Sequence, residues 1–118
     1  MLALFPLLVL TPNPARADDD WYRVEVTCAG IQGRMRDGNW TYAGAAAQAY
    51  GLPYPWGTVI ELQDGSQWTV EDSMAHWVSR WTGWGEHLDL YLGGDWATCQ
   101  RFGSQRTSAH VIRWGWGE

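Results

Sequence analysis

Two carboxylates in this 118-residue chain occupy positions that ask for an explanation. Asp89 stands in the middle of His87-Leu88-Asp89-Leu90-Tyr91, a stretch that reads as a strand. Aspartate is disfavoured in strand interiors, so its presence there suggests a purpose. Alternation puts His87, Asp89 and Tyr91 on one face and Leu88, Leu90 and Leu92 on the other. Asp72 ends a second strand-like segment, just before a Trp- and Gly-rich connection over residues 73–86. If the two strands lie near one another, both carboxyls meet at one cleft edge. Such a pair favours one protonated and one ionised member, the division of roles used in acid-assisted glycosidic cleavage. The ordinary readings stand beside this one: Asp89 pairing with an arginine, and Asp72 capping a turn.

Other chemistries find little support. His76, His87 and His110 lack zinc-type spacing, and no metal or cofactor is expected. There is no nucleophile elbow and no phosphate-binding loop. Ser73 and His76 have no evident third member to complete a triad. The ten tryptophans are the most unusual feature of the composition. A core of this size cannot bury them all, because each indole is large and its N–H needs a partner. About half are expected to be structural. Trp77, Trp81 and Trp84 fall in the 73–86 connection and are the better surface candidates, flat enough to stack on sugar rings.

The elements that must position these residues are short. Residues 21–28 alternate, with Tyr22, Val24, Val26 and Cys28 on one face, and predict a half-buried strand. Residues 29–39 read as a loop. The Ala-rich run from Tyr42 to Tyr50 predicts a short helix, ended by Gly51, Pro53 and Pro55. Residues 57–63 and 66–72 flank Asp64-Gly65, a strong hairpin signal. Residues 87–94 form another strand. Residues 94–103 predict a helix with Asp95 at its N-cap, Gly103 after its end, and Trp96, Cys99 and Phe102 as its buried stripe. Residues 107–115 close the chain as a last strand. Several short strands with small helices predict a mostly β, compact barrel in one domain, residues 18–118.

Residues 1–17 differ from the rest: an apolar run from Leu2 to Leu10, a Pro-rich break, then Ala15-Arg16-Ala17. That pattern predicts a cleaved signal peptide, and the apolar run is too short for a membrane span. The mature chain, read this way, is exported to the periplasm, cell wall or medium, with no membrane span. It carries seven arginines, no lysine and 13 acidic residues, a formal charge of −6. Nothing in it resembles a basic nucleic-acid surface. In an exported chain Cys28 and Cys99 are expected to form a disulfide, closing a loop worth roughly 4 kcal/mol in the chain-entropy model. Two buried free thiols are the alternative.

From Tyr50 to Gly115 the sequence resembles the 3D (three-aspartate) domain family, which has a six-stranded double-psi β-barrel fold. The resemblance rests on LPYPWGTVIEL, TVEDS, HLDLYLGG and ATCQRFG, followed by HVIRWG. The family includes the C-terminal part of membrane-bound lytic transglycosylase A and small stationary-phase survival proteins. The resemblance implies peptidoglycan glycan strands as substrate and lytic transglycosylation as reaction, leaving 1,6-anhydromuramoyl ends. It implies that Asp89 is the catalytic acid and base and that Asp72 is the second aspartate, shaping the site. Thr58, Ser73, His87 and Tyr91 are further site candidates, with Trp77, Trp81 and Trp84 as stacking surfaces, in an expected monomer. Tyr50 stands where the family has its first aspartate. That departure and the abundant tryptophans favour a second reading, a non-catalytic glycan-binding or expansin-like wall-loosening module. A third is a secreted interaction or inhibitor domain contacting a protein through the Trp-rich connection.

Overall fold

The computed structural model describes residues 20–30 and 32–117. The expected signal peptide lies outside these residues. Six strands and one short helix follow in the order β1 (Tyr22–Cys28), β2 (Ala45–Gln48), β3 (Thr58–Leu62), β4 (Gln67–Ser73), β5 (Glu86–Leu90), α1 (Trp96–Phe102) and β6 (Ser104–Arg113). The strands close into a barrel in the order β1-β5-β2-β4-β3-β6, with β6 returning to β1. Two pairs, β1·β5 and β2·β4, are parallel and the rest antiparallel. This mixed closed barrel is compatible with a double-psi arrangement.

The alternation of apolar residues becomes the barrel interior. Val24 and Val26 of β1, Ala46 of β2, Ile60 and Leu62 of β3, Val70 of β4, Leu88 and Leu90 of β5, and Ala109 of β6 form one core. Each fully buried valine, leucine or isoleucine contributes about 1.5–3 kcal/mol relative to exposure. The β3–β4 hairpin turns at Asp64-Gly65. Asp64 Oδ1 accepts from the Ser66 amide at 2.9 Å, and Gly65 takes φ 91°.

The predicted helix at Tyr42–Tyr50 is replaced by a strand. Ala45–Gln48 is buried at every position, paired parallel to β4 and antiparallel to β5. A helix there would leave two strand edges without partners, an outcome that outweighs the helix propensity of alanine. The small side chains let β2 fit in the barrel wall. The other predicted helix forms as expected. Asp95 Oδ1 accepts from the Thr98 amide at 3.0 Å, and the Gly103 amide donates to the Cys99 carbonyl. Cys99 is buried and Phe102 packs on the core. Trp96, expected in the buried stripe, is mostly exposed and leans its ring over Gly30. Cys28 and Cys99 are joined in a disulfide with Cα atoms 5.1 Å apart, which ties α1 to the end of β1.

Candidate active site

Asp89 and Asp72 come to one cleft because β2 runs between the strands that carry them. Ala47 pairs with Asp89 on one side and with Asp72 on the other. Two strand spacings separate the two backbones, about 10 Å. The residue between them in the sheet is Ala47, which is 3 % exposed and packs with Met74 and Tyr91. The cleft is open, has a volume of about 220 Å³, and is lined by both aspartates with Arg34, Thr41, Ser73 and Tyr91.

A register shift makes this possible. Ala46 pairs with Val70, whereas Ala47 pairs with Asp72, so Glu71 is an extra residue in β4. Strict alternation would send Asp72 toward the same side as Val70, into the core. The bulge re-aims it onto the outer face beside Ala47. Glu71, itself buried, turns instead to side chains of residues 37–42. It accepts from Asn39 Nδ2 at 2.7 Å and from the Tyr42 hydroxyl. Burial works against its ionisation, but hydrogen bonds from Asp37, Asn39 and Tyr42 outweigh that and hold its carboxyl below the usual range. Asp37 is raised, by burial and by its hydrogen bond to Glu71. The bonds from Asn39 and Tyr42 to Glu71, with the Asp37 amide donating to the Glu71 carbonyl at 3.2 Å, fasten the 33–42 segment to β4.

The two cleft aspartates are held differently. Asp72 accepts from the Arg36 amide (3.0 Å), from the Ser73 amide (2.8 Å) and from the Tyr91 hydroxyl (2.7 Å). Burial and the Asp72 carboxylate push the Tyr91 phenol well above its ordinary value, so it stays a donor. Asp72 is thus fixed through both of its oxygens. Asp89 accepts from the Thr27 hydroxyl, directly opposite it on β1, through Oδ1. His87 Nε2 lies 2.9 Å from the same hydroxyl. Because that hydroxyl gives its hydrogen to Asp89, His87 must donate to it from Nε2. His87, Thr27 and Asp89 therefore form a directed chain ending on one oxygen of Asp89.

Comparison with known proteins adds no further constraint. No protein-family model, curated protein or solved structure matches this chain.

The remaining candidates fall into place around the cleft or away from it. Ser73 and Tyr91 line it, and His87 reaches it through Thr27. Thr58 does not reach it. This residue is 0 % exposed, with its hydroxyl donating to the Pro55 carbonyl at 2.7 Å and accepting from the Gly115 amide at 3.0 Å. Trp77 and Trp81 are 78 % and 60 % exposed, but neither lines the cleft. Trp84 is half-buried between the guanidinium groups of Arg23 and Arg106, 4.5 and 5.7 Å from its ring centroid, and its Nε1 donates to the Thr107 carbonyl. It wedges the connection against the barrel and offers no open platform. Tyr50 is exposed and meets His76 edge-on, with centroids 5.9 Å apart.

Sequence reasoning passed over Thr27, Ala47 and the 33–42 segment. Thr27 had a detectable signal, since it lies on the polar face of a predicted strand. Ala47 had none, because the helix expected there would have carried it elsewhere. Among the described residues no group of three or more His, Cys, Asp or Glu side chains is gathered to hold a metal.

Proposed function

We propose that the protein is an exported cell-wall barrel of the 3D-domain type that cleaves peptidoglycan glycan strands by lytic transglycosylation. The observation that carries this reading is the placement of Asp72 and Asp89 on either side of Ala47, opening on one cleft. Asp89, with one hydrogen bond on Oδ1 and the cleft before it, is suited to proton transfer. Asp72, fixed by three donors, is suited to positioning the sugar. In this chemistry Asp89 protonates the glycosidic oxygen as the bond to C1 breaks. The same carboxylate then takes the proton of the C6 hydroxyl as that oxygen attacks C1. The product is the 1,6-anhydro sugar, and no water is consumed, so one well-placed acid suffices.

Export is part of the proposal. The Cys28–Cys99 disulfide suits an oxidising compartment. Among the described residues no helix is long and apolar enough to cross a membrane. The test is digestion of purified peptidoglycan with mass analysis of the products. The native protein is expected to release anhydro-muropeptides. Asp89→Asn should lower the release by a factor of about 10²–10⁴, the usual contribution of a general acid. Undiminished release by Asp89→Asn, or no anhydro product from the native protein, overturns the reading.

The exposure of Trp77 and Trp81 favours a second reading, glycan binding without cleavage. It predicts retention on insoluble peptidoglycan with no covalent product, and loss of retention when both tryptophans are replaced by alanine.

A further inference from the structure

A second cleft opens at one mouth of the barrel and shares no lining residue with the first. It has a volume of about 290 Å³ and is lined by Asp20, Tyr22, Tyr54, Glu86, Val111 and Trp114. Glu86 begins β5 and has the same parity as Leu88 and Leu90, so its side chain closes the end of the core. Tyr22 begins β1 in the same way. Trp114 follows β6, is 58 % exposed, and lies along Tyr54 with centroids 5.8 Å apart and ring planes at 30°.

The hydrogen bonds in this mouth have one direction. The Tyr54 hydroxyl donates to Glu86 Oε1 at 2.9 Å. Its only hydrogen is then used, so the contact of 2.5 Å between the Tyr22 and Tyr54 hydroxyls has Tyr22 as the donor. Both phenol protons are spent inward. What remains for a ligand is two carboxylates, phenol lone pairs, aromatic surface and a single donor, the Trp114 indole N–H. Among the described residues the lining contains no lysine, arginine or histidine. Arg80 acts on Glu86 and His110 faces Asp20 at 3.8 Å, but neither lines the cleft.

A neutral sugar needs several donors as well as acceptors around its hydroxyl groups, where this lining offers one donor against two carboxylates, and an anion would be repelled. A cation on aromatic faces, with carboxylates beside it, fits the carboxylates, lone pairs and rings of this lining. From this geometry we infer that the barrel mouth formed by Tyr22, Tyr54, Glu86 and Trp114 is a binding site for an organic ammonium group. Trp114 and Tyr22 offer ring surface to the cation, buried Tyr54 backs Trp114 and orients Glu86, and Glu86 with Asp20 supplies the counter-charge. The site is independent of the glycan cleft, so its occupancy does not require Asp89.

Isothermal titration calorimetry with choline as probe tests this. The comparison ligands are 3,3-dimethylbutan-1-ol, the uncharged isostere of choline, and N-acetylglucosamine. Choline is expected to bind about tenfold more tightly than the alcohol, the scale of a partly desolvated cation–π contact. Trp114→Ala and Glu86→Gln should each weaken choline binding about tenfold, and Trp114→Phe should restore part of the loss. Asp89→Asn should leave choline binding unchanged. No choline binding, equal binding of the alcohol, unchanged affinity in Trp114→Ala, or preferential binding of N-acetylglucosamine lost in Trp114→Ala would each overturn the inference.

Discussion

Thr27 shows how a residue without ionisable chemistry can decide what an ionisable one does. Its hydroxyl is the only described group that donates to Asp89, and it is anchored from the other side by His87. Thr27→Val keeps the shape and strand preference of the side chain but removes the donor. The fold should persist, while release of anhydro-muropeptides falls about tenfold through loss of one charge-assisted hydrogen bond. Thr27→Ser should recover most of the rate. Equal loss in both variants would show that packing, and not the hydroxyl, is what Asp89 requires.

Glu86 makes a different prediction at the same scale. Burial raises its carboxyl above the usual range, against the opposing effects of the Tyr54 hydrogen bond and Arg80. A raised value in the folded state means that the fold favours the protonated form. The associated stability is fully present below the unfolded value, about pH 4.3, and is lost as pH rises through the folded one. Glu86→Gln removes the titration and keeps an acceptor for Tyr54. Thermal melts should therefore show the variant to be more stable than the native protein near neutral pH. The difference should vanish at about pH 4. A variant less stable at neutral pH would mean that the ionised carboxylate contributes more through Tyr54 and Arg80 than its burial costs.

Among the elements, α1 depends most on a single bond. It has seven residues and one buried side chain, Cys99, and an isolated helix of that length is not stable in water. Its position on β1 is set by the disulfide and the Asp95 cap. Replacing Cys28 and Cys99 together by alanine should lower the urea unfolding free energy by about 4 kcal/mol, the chain-entropy value for a loop of this length. A loss under about 1 kcal/mol would mean that the reduced chain already holds the two ends together. The strands were legible in the sequence wherever one face alone meets the core. Tyr22–Cys28, the Asp64-Gly65 hairpin and Glu86–Leu90 all showed their alternation. Strand β2 was not legible. Its residues are buried on both faces and paired on both edges, so it has no polar face to mark a period of two, and a run of alanines resembles a helix. The bulge at Glu71 left no local sign either, since it arises from pairing between strands distant in sequence.

For the molecule as a whole, the two most informative features were read from different sources. Short alternating segments and turn signals indicated a mostly β barrel and five of its strands; the sixth, β2, was read as a helix, and the count of six came only from the family resemblance. The meeting of Asp72 with Asp89 needed the barrel, because the residue between them belongs to neither strand. The tryptophans divide along the same line. Trp77 and Trp81 were expected at the surface and are there, while Trp84 was expected there and is clamped by two arginines. Composition indicates that ten indoles cannot all be buried; only packing decides which ones are.

The neighbours of β1 have a consequence in time. This first strand hydrogen-bonds only to β5 and β6, the last two strands of the chain. A growing polypeptide therefore has nothing to pair β1 with until β5 has been made at Glu86–Leu90, and the second edge of β1 waits for β6. Closing so distant a contact is slow, and every partial chain exposes strand edges. The partial chain cannot close its barrel until β6 is present, a property that would suit the proposed export. The barrel is built so that it cannot shut before its last strand arrives.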